Sequence, residues 1–214
     1  MVGLTALIPV PLVDDLARDA MRRRLVRAIL AAEGVVLDEA AVEALANEPG
    51  RGCLIGCPLA IFVYPLKKLF RKIFFFLEVK RAVDLASTSW HFGWLLQGLL
   101  REGRRLPSDP AAAAAIRATI LDSLREVGVT PVERAFRSVL RGSTGVMRTM
   151  AARLGQVMGR SRRTPADVEA AVASVEAGEH GAIEGLADRL LRALDAVPQE
   201  HFDRLREAVR RRLS

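Results

Sequence analysis

Four cations crowd into six positions at Lys67, Lys68, Arg71 and Lys72, and three consecutive phenylalanines follow at Phe74, Phe75 and Phe76. An ammonium is a compact point charge suited to phosphate and other anionic groups, while a phenyl ring carries no polar atom and gains free energy only by leaving water. Together they describe binding chemistry rather than bond-making: a surface that meets an anion and buries aromatic rings beside it. The surrounding stretch Cys53–Arg81 holds all four lysines of the chain, five of its 8 phenylalanines and its 1 tyrosine, Tyr64. Elsewhere the basic residues are arginines, so the lysine and phenylalanine bias is local. The candidate binding residues are Phe62, Tyr64, Lys67, Lys68, Phe70, Arg71, Lys72, Phe74, Phe75, Phe76, Lys80 and Arg81.

Other residues that could do chemistry do not assemble into a set. Cys53 and Cys57 are spaced C-x3-C, and His91, His180 and His201 lie far from them and from one another in the sequence. A metal site needs three or four convergent ligands, and none is expected here. The cysteine pair reads as buried thiols in a reducing compartment, with acylation beside a membrane as the alternative. Gly142-Ser143-Thr144-Gly145 lacks the spacing of a phosphate loop and reads as a turn between helices. Asp14-Asp15 and Asp38-Glu39 stand at helix starts and read as caps. His91, between Trp90 and Phe92, reads as a satisfied interior or interface histidine. No catalytic residue, no cofactor and no metal are expected, and the chain does not read as an enzyme.

The elements that must position the basic-aromatic stretch are helices. Leu66, Leu69, Phe70, Ile73, Phe74 and Leu77 follow the i, i+3, i+4, i+7 spacing of one helical stripe, and Lys67, Lys68, Arg71 and Lys72 occupy the opposite side. Phe75 falls among those cations and Phe76 off the stripe. Pro65 suits the start of this helix, which is expected to run on to Arg101 with a weak point at Ser87-Thr88-Ser89. Residues 1–13, with Pro9 and Pro11, read as an extended lead-in without a signal peptide. A helix capped by Asp14 or Asp15 reaches about Ala32 and ends at Gly34. Asp38 caps a shorter one to about Asn47. Beyond the break at 103–110, helices are expected from Asp109-Pro110 to Val127, from Thr130-Pro131 to Leu140, over 146–158, from Thr164-Pro165 to Glu176, over 182–196 and over 198–213.

The fold class is therefore all-α, a bundle of eight to ten helices with no sheet. Residues 1–105 form an N-terminal region bearing segment 53–81, and 106–214 a C-terminal region, the two being separate or parts of one compact domain. The chain of 214 residues is half apolar, with a formal net charge of +7, which selects for anionic partners. The uncharged run Gly52–Leu66 is 15 residues long and carries Pro58 and Pro65, short of the roughly 20 that a membrane-spanning helix needs.

Ile8-Pro9-Val10-Pro11, the acidic pair, the basic amphipathic helix and then Glu33-Gly34-Val35-Val36-Leu37-Asp38 resemble the helical segments of bacterial membrane-associated proteins of the EcsC-like type. In that family a Pro-x-Pro-Gly turn precedes a helix, and a Tyr-Gly-Val-Asp-Leu connector follows it. Leu12 stands here where the turn has glycine. The resemblance covers residues 6–50, implies a helical, membrane-linked bacterial protein and supplies no catalytic residue. The expected function is peripheral docking on an anionic membrane surface, in the cytoplasm at the inner face of the membrane. The alternative is a soluble adaptor or homo-oligomer that buries 53–81 in a protein interface. Nucleic-acid binding, for which Arg134–Arg163 would add further cations, ranks third because a triple phenylalanine is too apolar for it.

Overall fold

The computed structural model describes residues 11–47, 71–146, 149, 152, 153, 156 and 165–214. Eight helices are set out here: α1 (Pro11–Ala32), α2 (Glu39–Ala46), α3 (Arg71–Arg101), α4 (Pro110–Val127), α5 (Thr130–Arg141), α6 (Pro165–Gly178), α7 (His180–Leu194) and α8 (Gln199–Leu213). The described residues contain no strand, and the protein is an all-α bundle. The expected helix over 146–158 falls mostly outside the described residues.

Helix ends follow from local chemistry. Gly34 and Gly103 take positive φ of 66° and 79°. Each closes its helix with paired bonds: Gly34 N–H to Ala31 O with Val35 N–H to Leu30 O, and Gly103 N–H to Leu100 O with Arg104 N–H to Leu99 O. That pattern satisfies the last carbonyls and requires a left-handed residue that glycine adopts without strain. Asp109 caps α4 as expected, its Oδ2 accepting from Ala112 N–H at 2.8 Å. Asp38 caps α2 through its backbone carbonyl, which accepts from Ala41 and Val42, rather than through its side chain.

Some boundaries differ from the sequence reading. Helix α1 begins at Pro11 instead of Asp14 or Asp15. The extended preference of an X-Pro step falls on the residue before proline, whereas proline's own fixed φ suits a first helical turn. Helix α3 crosses Ser87-Thr88-Ser89 without interruption. Ser87 is fully buried and Ser89 nearly so, and packing outweighs the few tenths of a kcal/mol by which such residues disfavour a helix, about 0.5 each. Thr130 lies inside α5, after an N-cap at Val129. Helix α7 starts at His180, so the expected break at Gly178–Gly181 shrinks to Glu179.

Helix α3 joins two apolar clusters. In the larger one, Phe92, Leu95, Leu96 and Leu99 of α3 meet Val26 and Leu30 of α1, Val42 and Leu45 of α2, Ile116 and Ile120 of α4, and Leu205 and Val209 of α8. Residues from both sides of the 103–110 break thus share one core. In the other, Val83 of α3 packs with Val132, Phe136 and Leu140 of α5, Leu186 and Leu194 of α7, and Phe202 of α8. Polar ties lock the ends. Glu33 at the end of α1 accepts from Gln97 at 2.7 Å and Arg101 at 2.9 Å of α3. The nearly buried Arg117 of α4 donates to the Ala44 carbonyl of α2 at 3.2 Å.

Two glycines of α3 test this packing. A Cβ at Gly93 would meet Ile29 Cδ1 at 3.2 Å and Leu25 Cδ1 at 3.6 Å, whereas one at Gly98 would meet nothing within 4 Å. Gly93→Leu is expected to lower stability by about 1–3 kcal/mol by overpacking the α1–α3 contact. Gly98→Ala is expected to raise it by about 0.5–1 kcal/mol through helix propensity. Chemical-denaturation midpoints should move in opposite directions for the two variants.

Candidate functional site

The sequence-predicted binding residues divide at position 70. Phe62, Tyr64, Lys67, Lys68 and Phe70, with Cys53 and Cys57, lie outside the described residues. Arg71, Lys72, Phe74, Phe75, Phe76, Lys80 and Arg81 belong to the first turns of α3, and Lys80 is exposed. The described part of the basic-aromatic stretch therefore belongs to the helix that joins both apolar clusters.

Helical register along α3 places Ile73, Leu77, Lys80, Asp84, Thr88, His91 and Leu95 on one line. On that line Lys80 is exposed, Asp84 and Thr88 are half-buried, and His91 and Leu95 are buried. A polar interval of Lys80, Asp84 and Thr88 thus separates the N-terminal apolar stripe from the apolar face committed to the core. Asp84 is held above the usual carboxylate range, first by burial and then by the charge of Glu133 on α5, with which it shares a hydrogen bond. Glu133 also accepts from Arg137. That acidic contact is a poor place for an apolar stripe to continue inward.

Further along, α3 and α8 run side by side in the same direction. His91 meets His201, Trp94 meets Phe202 and Arg206, Glu102 meets Arg210, and Arg104 donates to the Leu213 carbonyl at 3.0 Å. The histidine pair is buried, with His91 at 0% and His201 at 2% exposure. His91 Nδ1 lies 2.8 Å from the Ser87 carbonyl, so it is protonated and donates there. His91 Nε2 lies 3.1 Å from His201 Nε2. In the neutral pair the only consistent tautomers have His201 Nε2–H donating to the lone pair of His91 Nε2. His201 Nδ1 is then an acceptor, and it is buried without a hydrogen-bond partner. Burial pushes His91 down to about 4, offset in part by its bond to Ser87. Burial, then the charge of Arg204, lowers His201.

Aromatic rings wrap the pair. Trp90 lies edge-on to His91 at 5.4 Å and stacks with Trp94 at 6.2 Å, and Phe136 and Phe202 lie 6.4 and 5.8 Å from Trp90. The Arg206 guanidinium covers the Trp94 ring at 4.6 Å. Beyond it a cleft of about 340 Å³ opens between α3 and α8, floored by Leu95, Leu99 and Val209 and rimmed by Gln97, Arg101, Glu102 and Arg210. Its rim is already paired: Arg101 with Glu33, and Arg210 with Glu102 at 2.6 Å. The Arg210 bond holds the Glu102 carboxyl below its ordinary range.

Sequence reading placed His91 in the interior and missed its partner. The three histidines lie far apart in the sequence, and two of them meet in the fold. The signal present was a repeated word: Trp90-His91 and His201-Phe202 each set a histidine beside an aromatic. His180 is exposed and contacts Glu184 at 3.0 Å. The turn expected over Gly142–Gly145 is confined to Gly142 and Ser143, with Ser143 Oγ donating back to the Val139 carbonyl, and Thr144 and Gly145 are already helical. Arg210, Arg211 and Arg212, in the last turn of α8, form ion pairs with Glu102 and Glu126. Among the described residues no group of three or more His, Cys, Asp or Glu could hold a metal ion, and no helix is long and apolar enough to cross a membrane. No protein-family model matches the chain, and neither a curated protein nor a solved structure matches it.

The aromatic cluster ties α5 and α8 to α3 by burial rather than by charge. Phe202→Ala is expected to cost about 3–5 kcal/mol. Arg206→Gln, which removes only the cation above an accessible part of Trp94, should cost about 0.5–1 kcal/mol. Denaturation followed by tryptophan fluorescence measures both, and a larger cost for Arg206→Gln would reverse this ranking.

Proposed function

We propose that this chain is a non-enzymatic helical protein that docks peripherally on an anionic membrane surface through segment 53–81, with the bundle as a rigid mount. The observation that carries the reading is the polar interval Lys80–Asp84–Thr88 on α3. By helical periodicity the apolar stripe of residues 66–77 is a face distinct from the one α3 commits to the core, which supports reading it as a surface for something outside the bundle. Lysines beside phenylalanines suit the boundary between headgroups and acyl chains, where each basic residue adds about 1 kcal/mol near an anionic leaflet. The part of the segment from Arg71 onward lies in α3 itself, which runs unbroken to Arg101 in the core. The resemblance of residues 6–50 to EcsC-like membrane-associated bacterial proteins points the same way, and the proposal takes the inner face of a bacterial membrane as the docking surface.

Co-sedimentation with vesicles tests the proposal. Wild type is expected to pellet with phosphatidylserine- or phosphatidylglycerol-containing vesicles, to bind neutral phosphatidylcholine vesicles weakly, and to lose binding at high salt. Lys67, Lys68, Arg71 and Lys72→Glu together should abolish binding at low salt, and Phe74, Phe75 and Phe76→Ser should reduce it at least tenfold. A folded wild type that ignores anionic vesicles, but forms a dimer which the phenylalanine variant breaks, would replace the membrane by a second copy of the chain.

A further inference from the structure

We propose that the His91–His201 contact is a proton-operated latch, in which acidification releases the first turns of α8 from α3 while the rest of the bundle stays folded. The proposal stands apart from the use made of segment 53–81. It starts from the hydrogen-bond inventory of the two rings. Of the four ring nitrogens, three are committed: His91 Nδ1–H to the Ser87 carbonyl, and the two Nε2 atoms to each other at 3.1 Å. The fourth, His201 Nδ1, is buried without a partner and is the only basic nitrogen open to a proton. A proton there creates an imidazolium whose new N–H faces no acceptor. A second proton would have to enter at His91 Nε2, which forces two N–H groups against each other and breaks the bond between the helices.

The charges on the surrounding elements give little help to the cation. On α8 itself Arg204 repels it and Arg206 lies over Trp94, with the exposed Glu200 beside it in sequence. Arg22 of α1 and Arg117 of α4 line the small cavity that Ser89 and Phe92 border. The acidic groups along this side, Asp84 of α3 and Glu133 of α5, share a hydrogen bond with each other about two helical turns away from His91. His201 also sits in the first turn of α8, where the helix dipole disfavours a positive charge.

Local architecture determines which side yields. Helix α3 is held in both apolar clusters, and His91 is tied within its own helix to Ser87. Helix α8 begins after the stretch 195–198, in which only Val197 is not exposed, and Pro198 supplies no side-chain cap. The far end of α8 is pinned by Leu205 and Val209 in the core and by the pairs of Arg210, Arg211 and Arg212 with Glu102 and Glu126. A release therefore starts at the N-terminal end of α8 and carries His201 and Phe202 into water together. It uncovers the faces of Trp90 and Trp94 against which Phe202 packs.

Both histidines bind protons less readily folded than in water, so an opening that exposes them becomes easier as pH falls below the ordinary value of 6.5, and for His91 the gain is complete near 4. For His91 alone the opening equilibrium rises about 30-fold between pH 7.5 and pH 5.0. Hydrogen exchange on the intact protein at those two pH values, corrected for intrinsic rates, reads this directly. Amides of 199–206 are expected to show the 30-fold rise and to open more readily than those of α2 at both pH values, which marks an opening smaller than global unfolding. In His91→Leu/His201→Phe, which has no titrating group in the contact, the rise should be absent. If 199–206 exchange only in step with α2, or if their opening ignores pH, there is no latch. Those two results need the wild type alone, so the test holds even where the double variant does not fold.

Discussion

The bundle depends on the burial of the second half of α3. From Ala82 onward this helix supplies residues to both apolar clusters, and each of the other helices named above except α6 meets it in one cluster or the other. Fully burying a leucine or phenylalanine is worth about 1.5–3 kcal/mol, and α3 contributes Phe92, Leu95, Leu96 and Leu99 to the larger cluster alone. That density explains why Ser87-Thr88-Ser89 stays helical. The backbone there is surrounded by apolar side chains and has no better hydrogen-bond partners than its own turns.

Burial on this scale also fixes where polar groups are tolerated. The interior admits His91 and His201 because each can answer the other while neutral, and it admits Arg117 because a carbonyl of α2 receives it. Ser87 and Ser89 leave their hydroxyl oxygens without a partner. Such orphaned groups cost free energy, and they gather in the same stretch of α3 as the histidine contact. The helix that feeds both apolar clusters thus also carries two buried hydroxyls without a partner.

Much of the architecture was legible in the sequence because it is written in short-range signals. Asp109-Pro110 announces α4, Gly34 and Gly103 announce the ends of α1 and α3, and the apolar spacing of α3 announces a long helix. The errors arise where two local rules compete. Pro11 was weighed as a breaker although proline at a first helical position is a starter, and the serines at 87 and 89 were weighed by propensity although burial decides. What could not be read was the pairing of His91 with His201. These residues are 110 apart in the chain, and only the parallel run of α3 beside α8 brings them together. Periodicity tells which face of a helix is buried, not which helix covers it. The basic-aromatic stretch is the reverse case, since its chemistry is plain in the sequence and needs no partner elsewhere in the chain to be noticed.

The parallel run of α3 and α8 has an electrical consequence. Two aligned helices present their carbonyl ends at the same place, and each such end is equivalent to roughly half a negative charge. Arg101, Arg104, Arg210, Arg211 and Arg212 gather there, together with the carboxylates of Glu33, Glu102 and Glu126. Much of the arginine charge is thereby cancelled at short range. Towards the other end of α3, about 30 Å away along the helix, Lys80 is exposed. An external field therefore acts unequally on the two ends of this helix. In such a field a helix with unequal ends feels a torque as well as a pull.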